Sequence, residues 1–321
     1  MGSDDGVPGF PAHAVTPTLS VITPSYNQGA YLEETIDSVL SQGIPGLEYI
    51  IVDGGSTDES VEVIKRHERH LAWWVSEKDR GQSHAINKGL ARATGRWAAY
   101  LNSDDVYLPG ALRALLDALD QAPGARWIVG GVLCFGTPEA PVHDWHLPAV
   151  PRTMLDLLSA RFQISQPGNI WDRALLASVG GFDESLRYLF DINLYAAFLA
   201  RGERCHALKR PVAAYRFHET SKTVAEGMKF ETEWDIIRAR YVTSLPRTTR
   251  WRAAHRIGLL KAQAMVVDAA VHAEAGDMAA ARAGYFAGLR RHPGVALTRA
   301  GLGCVRRMLF PRPAGGPSRG R

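Results

Sequence analysis

The 321-residue sequence has no apolar run of the ~18 residues that a membrane-spanning helix requires. Its first residues carry no basic stretch leading into an apolar one, so we expect no secretory signal and a disordered arm over residues 1–17. The only cysteines, Cys134, Cys205 and Cys304, are far apart and form no C-x-x-C pair. We therefore expect buried, reduced thiols in a cytoplasmic protein, not a disulfide framework or a zinc site.

Two common nucleotide-binding motifs are also missing. No G-x-G-x-x-G follows the first predicted strand, and G-x-x-x-x-G-K-[ST] occurs nowhere in the chain. Dinucleotide-dependent dehydrogenases and P-loop enzymes therefore lose their main sequence support.

Charge is unevenly distributed along the chain. Residues 246–321 contain 14 Lys and Arg against 3 Asp and Glu, a net charge of +11, whereas the other 245 residues carry a net charge of −7. A basic segment suits an anionic membrane surface or a nucleic acid, and a solvated helical face without a partner explains it equally well. We expect no nucleic-acid partner, and a peripheral contact with the inner face of a membrane is the partner hypothesis.

Hydrophobic periodicity alternates between strand and helix over residues 18–134. Strands alternating with helices form a mostly parallel sheet that is covered by helices, as in Rossmann-like α/β folds. The pattern predicts strands at 19–23, 47–53, 72–76, 97–101 and 127–133, and helices over 31–40, 60–67, 83–93 and 109–122.

The remainder of the chain is less regular. Over 135–223 we expect a loop at 138–151, helices at 173–179 and 189–201, and strands at 204–208 and 212–217. Residues 224–310 predict a helical extension, and the Pro-, Gly- and Arg-rich segment 311–321 predicts a disordered basic tail.

Polar, Gly-rich and acidic residues follow four of the predicted strands. These segments are Thr23–Asn27, Asp53–Asp58, Asp79–Ser83 and Asn102–Asp105. Because ligands of parallel sheets bind beyond the carboxyl ends of the strands, the four segments predict a binding site at one edge of the sheet.

The acidic pair Asp104–Asp105 is the candidate cation site. Mg²⁺ and Mn²⁺ prefer carboxylate oxygens and usually take one or two of them together with substrate phosphates. An N-cap for the following helix is the competing explanation of the pair, and it would be preferred if the pair stood alone.

The other strand ends offer donor-binding chemistry. Asp53 can accept a hydrogen bond from the ring N–H of a base, and the glycines after it allow close backbone approach. Tyr26 offers an aromatic face on which a base can stack, and Arg80 offers a planar fork of donors for a diphosphate. For Asp53 the alternative is a strand-to-helix turn in which Ser56 or Thr57 caps the helix. For Tyr26 it is simple turn chemistry, and for Arg80 it is a surface ion pair.

Four of these segments, in this order, resemble the motifs of family 2 glycosyltransferases, which have the GT-A fold. They read Val21-Ile-Thr-Pro-Ser-Tyr-Asn-Gln28, Ile50-Ile-Val-Asp-Gly-Gly-Ser-Thr-Asp58, Asp79-Arg-Gly-Gln-Ser-His-Ala-Ile-Asn-Lys-Gly89 and Leu101-Asn-Ser-Asp-Asp105. The resemblance continues through Gly180-Gly-Phe-Asp-Glu184, Phe190-Asp191 and Tyr215–Lys222, so it covers roughly residues 18–223. It implies a nucleotide-sugar-binding half at 18–134 and an acceptor-binding half at 135–223.

The resemblance also implies roles for single positions. Asp191 falls where the family's general base lies, although Phe190 precedes it where Glu is common. Asn102 stands where many members have Asp, and it would lie toward the ribose. Asp104 or Asp105 would ligate a divalent cation, Mn²⁺ or Mg²⁺, and His218 resembles a position that reaches the metal or the diphosphate. The implied nucleotide-binding residues are Thr23, Pro24, Tyr26, Asp53, Gly54, Gly55, Asp79, Arg80, Ser83, Asn102 and Ser103, and the implied acceptor-binding residues are Gln166 and Trp171.

The implied reaction is inverting transfer of a sugar from a nucleotide-sugar, with UDP as the expected nucleotide, to a hydroxyl of a saccharide or lipid-linked acceptor. A sugar-nucleotide pyrophosphorylase is an alternative, but Pro24–Asn27 stands where such an enzyme would have a Gly-, Arg- and Lys-rich segment. The second alternative is a non-catalytic scaffold bound to a membrane or nucleic acid through the basic segment.

Overall fold

The computed structural model describes residues 18–137, 140–217 and 230–309. The predicted arm over 1–17, the predicted tail over 311–321 and the candidate ligand His218 lie outside the described residues. The chain divides into two compact units. Among the described residues, one unit holds those up to Arg152 and those of 162–237, and the other holds Thr153–Arg161 and those from Arg238 onward.

The first unit is built on one sheet, which has nine strands among the described residues. They are β1 (Leu19–Ser25), β2 (Leu47–Asp53), β3 (Trp73–Ser76), β4 (Trp97–Tyr100), β5 (Val106–Tyr107), β6 (Trp127–Thr137), β7 (Ala140–His146), β8 (Asn169–Asp172) and β9 (His206–Arg216). Their order in the sheet is β3-β2-β1-β4-β8-β6-β9-β5, with β7 paired to β6. The strands β1 to β4 are mutually parallel, as the alternating pattern predicts. Their carboxyl ends therefore meet at one edge.

The other half of the sheet is mixed and departs from the prediction. Strand β8 is antiparallel to both β4 and β6, and β5 is antiparallel to β9. The predicted loop over 138–151 is wrong at Ala140–His146, because this segment pairs as β7 with β6. The two strands predicted at 204–208 and 212–217 are one strand, β9, whose register against β6 shifts at Pro211. Proline has no N–H to give to the ladder, so a bulge accommodates it.

Helices cover the sheet because each presents a stripe of apolar residues at helical spacing. In α4 this stripe is Ala111, Leu112, Leu115, Leu116 and Leu119, all buried in the main core. Burying each Leu contributes roughly 1.5–3 kcal/mol. The helices of this unit are α1 (Gly29–Leu40), α2 (Ser60–His67), α3 (Gln82–Arg92), α4 (Ala111–Asp120), α6 (Arg173–Ser178), α7 (Phe190–Ala200) and the first turns of α8 (Phe230–Tyr241), and α5 (Met154–Leu158) belongs to the second unit.

The second unit is helical, as the sequence predicts. It contains α9 (Arg247–Glu274), α10 (Met278–Arg291) and α11 (Arg299–Leu309). Its core is small-residue-rich, with Ala262, Val266, Ala269, Ala270, Val295 and Cys304 buried together. The three cysteines, Cys134, Cys205 and Cys304, are buried thiols, as predicted. No helix within the described residues is both long and apolar enough to cross a membrane.

Candidate active site

The carboxyl ends of β1 to β4 open into a cavity of about 940 Å³, within the range of small-molecule and cofactor sites. Most residues predicted for the site line this cavity, whereas four are fully or almost fully buried away from it. The cavity-lining group comprises Pro24, Tyr26, Gly54, Gly55, Asp79, Arg80, Ser83, Asn102, Ser103, Asp104, Gln166 and Asp191. The buried group comprises Thr23, Asp53, Asp105 and Trp171.

Asp53 shapes the turn after β2. Its carboxylate accepts hydrogen bonds from the backbone N–H groups of Gly55 (3.1 Å) and Ser56 (2.8 Å) and from the hydroxyls of Ser56 and Ser76. The side chain is completely buried, and these four donors occupy it. Asp53 therefore holds the glycine turn in place from behind.

Thr23 is likewise in the core, where its hydroxyl is 3.0 Å from the hydroxyl of Tyr49. The side chain is completely buried, so it does not line the cavity. Thr23 therefore supports β1 from the core, while Pro24 and Tyr26 reach the cavity.

Gly54, Tyr26 and Asp79 form one corner of the cavity. A Cβ atom at Gly54 would lie 2.7 Å from Oδ2 of Asp79 and 3.3 Å from the ring of Tyr26, so only glycine leaves this corner undisturbed. The Tyr26 side chain is 61% exposed. Asn27 joins this corner to the next turn, because its Oδ1 accepts from the N–H of Thr57 at 2.9 Å.

Asp104 and Asp105 face different surroundings. Asp104 lines the cavity and is half-buried, whereas Asp105 is completely buried. The Asp105 carboxylate accepts from Nδ2 of Asn102 (3.1 Å) and from the backbone N–H of Arg216 (3.0 Å). Burial, together with the neighbouring charge of Asp104, raises the pKa of Asp105 well above its usual range.

Arg216, which the sequence does not single out, fastens this acidic turn. Its Nε donates to the backbone oxygen of Asp104 at 3.1 Å, and its guanidinium pairs with Glu34. The same guanidinium lies over the rings of Tyr31 (5.0 Å) and Phe135 (4.4 Å). Its motif, Tyr215–Lys222, is visible in the sequence, but nothing local shows that Arg216 turns toward Asp104.

The donor set at this turn fits a hard divalent cation that also binds substrate. No group of three or more His, Cys, Asp or Glu side chains in the described part of the chain is arranged to hold a metal ion. Asp104 presents one carboxylate to a cavity large enough for a diphosphate, which suits an ion held by one or two carboxylates and by phosphate oxygens. A cation bound at Asp104 would also reduce the electrostatic repulsion between the carboxylates of Asp104 and Asp105.

Asn102 is the centre of a chain of amides. Its Oδ1 accepts from Nε2 of Gln82 at 2.6 Å, and its Nδ2 lies 3.3 Å from Oε1 of Gln166. Gln166 in turn donates to the backbone oxygen of Tyr100 at 2.7 Å. Both residues line the cavity, but their amides are already committed to holding the turn after β4.

Trp171 belongs to an aromatic cluster beneath the site. It is 1% exposed, stacks on Tyr100 at 5.9 Å and meets the edge of Phe182 at 6.0 Å. Phe190, the residue before Asp191, joins the same cluster through Phe182 at 5.8 Å. Trp171 therefore supports the floor of the site through packing.

Asp191 lies in the first turn of α7 and lines the cavity. Burial raises its pKa to about 6, although Oδ1 accepts from the N–H of Ile192 at 2.7 Å, which lowers it, and the charge of Glu233 adds a further increase. A carboxyl with a pKa near 6 is largely ionised at neutral pH and is still basic enough to accept a proton from a hydroxyl during reaction.

Glu233, in α8, was not identified from the sequence. It is 8% exposed, and its two oxygens accept from the backbone N–H groups of Arg187 (2.6 Å), Tyr188 (2.9 Å) and Leu189 (2.7 Å). These three residues lead directly into α7, so Glu233 holds the segment that carries Asp191. No local motif marks it, because its partners lie more than 40 residues earlier in the chain.

Arg80 both lines the cavity and forms an ion pair. Its Nη2 lies 2.6 Å from Oε2 of Glu184, and the Arg80 side chain is 70% exposed. Asn87 holds the partner segment, since its Nδ2 donates to the backbone oxygen of Phe182 at 2.8 Å and to Glu184 at 3.1 Å. The motif Gly180–Glu184 is thus joined to the turn after β3.

The sequence is similar to those of known glycosyltransferases. The sequence model of Glycosyl transferase family 2 matches residues 20–167. The Bacillus subtilis (strain 168) protein named putative teichuronic acid biosynthesis glycosyltransferase TuaG is 29% identical over 234 residues, which cover 69% of this chain and 88% of TuaG.

Two solved structures are similar in fold. The crystal structure of S. aureus TarS 1-349 in complex with UDP-GlcNAc matches with a TM-score of 0.55 at 18% identity, over 87% of this chain and 92% of that chain. Mannosyltransferase PcManGT from Pyrobaculum calidifontis, in complex with GDP-Man and Mn²⁺, matches with a TM-score of 0.54 at 20% identity, over 94% of this chain and 89% of that chain. With its GT-A fold and its sequence motifs, the chain carries a glycosyl transferase family 2 domain over residues 20–167 and is a glycosyltransferase.

Proposed function

We propose that the enzyme transfers a sugar, with inversion, from a UDP-sugar to a hydroxyl of a saccharide or lipid-linked acceptor. The observation that carries the proposal is that Asp104 and Asp191 line the same cavity of about 940 Å³. Asp104 offers the cavity a carboxylate to which a cation can bind, and the pKa of Asp191 suits a base. The family assignment favours transfer over the pyrophosphorylase and scaffold alternatives.

The corner formed by Tyr26, Gly54 and Asp79 is the proposed nucleotide site. Its exposed aromatic ring offers a stacking face, and Gly54 leaves room for close approach. UDP is the proposed nucleotide, and TarS has been crystallised with UDP and with UDP-GlcNAc. Arg80, which already pairs with Glu184, is near enough to the cavity to contribute its guanidinium to the diphosphate.

Asp104 is the proposed ligand of Mn²⁺ or Mg²⁺, with Asp105 behind it and the turn held by Arg216. A bound divalent cation supplies Lewis-acid stabilisation of the charge that develops on the leaving diphosphate. The described side chains offer too few ligands to hold the ion without oxygens from a substrate phosphate. We therefore expect UDP to strengthen metal binding.

Asp191 is the proposed base. It accepts the proton of the acceptor hydroxyl, and the hydroxyl oxygen forms the new bond to the anomeric carbon. The bond between that carbon and the diphosphate oxygen breaks, and UDP leaves with the bonding electrons. Attack opposite the leaving group inverts the anomeric configuration. General-base assistance of this type contributes roughly 10²–10⁴ in rate.

A cytoplasmic location with peripheral contact to the membrane is the proposed setting. Four residues of α11 are exposed at spacings that place them on one helix face: Arg299, Leu302, Arg306 and Leu309. Cys304, on the opposite side of the helix, is buried in the core of the second unit. From residue 278 onward the sequence contains nine Arg and no Asp or Glu. Exposed leucines between arginines suit the interface of an anionic bilayer.

Calorimetry with UDP in the presence and absence of Mn²⁺, followed by a UDP-release assay with candidate UDP-sugars, tests the proposed function. We expect UDP binding that Mn²⁺ strengthens. Equal UDP affinity with and without Mn²⁺ would contradict the metal role, and GDP binding in preference to UDP would contradict the nucleotide assignment.

A further inference from the structure

The acceptor side of the cavity needs residues other than those expected from the sequence. Trp171 is 1% exposed inside the aromatic cluster. The amide of Gln166 is already engaged with Asn102 and with the backbone of Tyr100. Neither is therefore placed to select an acceptor by direct recognition.

A different part of the cavity wall carries side chains suited to this task. Arg187, Tyr188 and Phe230 all line the cavity. The rings of Tyr188 and Phe230 are 5.1 Å apart at an angle of 44°, and the guanidinium of Arg187 lies 5.6 Å from the centre of the Tyr188 ring. Two aromatic rings and one cation therefore stand side by side in this wall, which we call the aromatic wall.

The aromatic wall is held in place by one carboxylate. Glu233, three residues after Phe230 in the same helix, accepts the backbone N–H groups of Arg187, Tyr188 and Leu189 at 2.6–2.9 Å. Charge-assisted bonds to consecutive N–H groups fix the backbone that carries the first two members of the wall. Phe230, the third member, is held by its position in the first turn of α8, the helix that also contains Glu233.

The aromatic wall is also connected to the proposed base. Leu189 is the N-cap of α7, and Asp191 follows two residues later in the first turn of that helix. The segment 187–191 therefore carries both wall residues and the carboxylate that would accept the proton. A sugar placed against this wall would present its hydroxyls next to Asp191.

Resting on the proposed function, we propose that Arg187, Tyr188 and Phe230 form the acceptor subsite and that the acceptor is a pyranose bearing an anionic group, a carboxylate or a phosphate. The apolar C–H face of a pyranose packs on aromatic rings, which combine a large apolar surface with low flexibility. The guanidinium of Arg187 binds a carboxylate or a phosphate through its planar fork of donors.

Three related probes test the proposal on the full chain in the presence of UDP and Mn²⁺: methyl β-D-glucoside, methyl β-D-glucuronide and methyl β-D-glucoside 6-phosphate. They share one ring and differ only at carbon 6. Their affinities are measured by ligand-observed NMR titration. We expect the two anionic sugars to bind roughly threefold to tenfold more tightly than the neutral one, because Arg187 is partly solvated. The ratio between glucuronide and phosphate separates the two anionic classes.

Substitutions in the aromatic wall test whether its residues cause the preference for anionic sugars. Arg187→Gln is expected to remove the preference for the anionic sugars, and Tyr188→Leu is expected to weaken all three probes, whereas Tyr188→Phe keeps the ring and its binding. Arg92→Gln is the matched control, because Arg92 lies over the ring of Trp73 at 4.8 Å and neither residue lines the cavity.

Two results would overturn the proposal. The first is equal affinity of the wild-type protein for the neutral and anionic sugars. The second is a loss of UDP affinity in Arg187→Gln, which would assign this guanidinium to the donor diphosphate instead. UDP binding to the wild-type protein is measured separately, so a failure of the proposed donor chemistry is distinguished from a failure of the acceptor subsite.

Discussion

Asp105 is completely buried, while the carboxylate of its neighbour Asp104 lines the cavity. The two acids that are equivalent in the sequence are therefore unequal in the structure. Asp104 can reach a ligand, and Asp105 accepts the backbone N–H of Arg216 at 3.0 Å. This division predicts that substitutions at the two positions have different consequences.

We expect Asp104→Ala to abolish the gain in UDP affinity that Mn²⁺ provides, with little change in thermal stability. Asp105→Ala should destabilise the fold by about 1–3 kcal/mol, because it leaves the Arg216 N–H buried without its acceptor. Calorimetry with and without Mn²⁺, together with thermal unfolding, measures both effects. Asp117→Asn, an exposed position on α4, is the control. Equal loss of metal response and of stability in both variants would contradict the division of roles.

Asp191→Asn should lower kcat by roughly 10²–10⁴ while leaving UDP affinity unchanged. If Asp191 is the base, its ionised form is needed, so the activity of the wild-type enzyme should fall as pH drops through about 6. This fall is the acidic limb of the pH profile. The pH profile of kcat/KM measures this limb. Near-normal activity of Asp191→Asn would refute its assignment as the base.

The raised pKa of Asp191 also predicts a change in stability. Because the folded state holds this proton more tightly than the unfolded state, ionisation of Asp191 opposes folding above its usual pKa, and this cost is complete once pH exceeds about 6. Asp191→Asn removes the cost. Its melting temperature relative to wild type should therefore be higher at pH 8 than at pH 4.5, and an identical difference at both pH values would contradict a perturbed carboxyl.

Glu233→Gln should disturb the segment that carries Asp191, since an amide offers one acceptor oxygen where the carboxylate has two for three N–H groups. Loss of the Glu233 charge should also move the acidic limb of activity to lower pH.

The two tyrosines near Asp191 do not contribute to this limb. Burial raises the pKa of Tyr100 and of Tyr195 well above the usual range, so both side chains stay neutral.

Thermal unfolding and the pH profile together distinguish two roles for Glu233. A lower melting temperature with an unmoved acidic limb would mean that Glu233 only supports the fold. Glu231→Gln, at an exposed position of the same helix turn, is expected to leave the limb in place.

Membrane contact is tested with vesicles of phosphatidylcholine alone and with added phosphatidylglycerol. We expect sedimentation of the protein with the anionic vesicles only, and weaker binding at high salt because exposed charges are screened. Arg299→Gln/Arg306→Gln and Leu302→Ser/Leu309→Ser should each reduce binding. The control variant Lys65→Gln/Arg69→Gln removes the same amount of positive charge from the first unit and should leave vesicle binding unchanged. Unchanged binding of both α11 variants would refute the role of this helix.

The sequence alone determined the α/β class and the place of the site. Strand and helix periods are local properties, and parallel strands bring their carboxyl ends together, so Tyr26, Gly54 and Asp104 could be predicted to share one cavity. The strands β5 and β8 were missed because they pair antiparallel with strands distant in the chain, which no local period reveals.

Only the tertiary structure decided which side chains turn toward that cavity. Arg216 reaches Asp105 across 111 positions of sequence, and Glu233 reaches Leu189 across 44. Such contacts leave no periodic trace, because they depend on how whole elements pack. The same packing buries Asp105 and leaves Asp104 on the cavity. A one-residue difference along the chain thus separates a structural carboxylate from the carboxylate proposed to bind the metal.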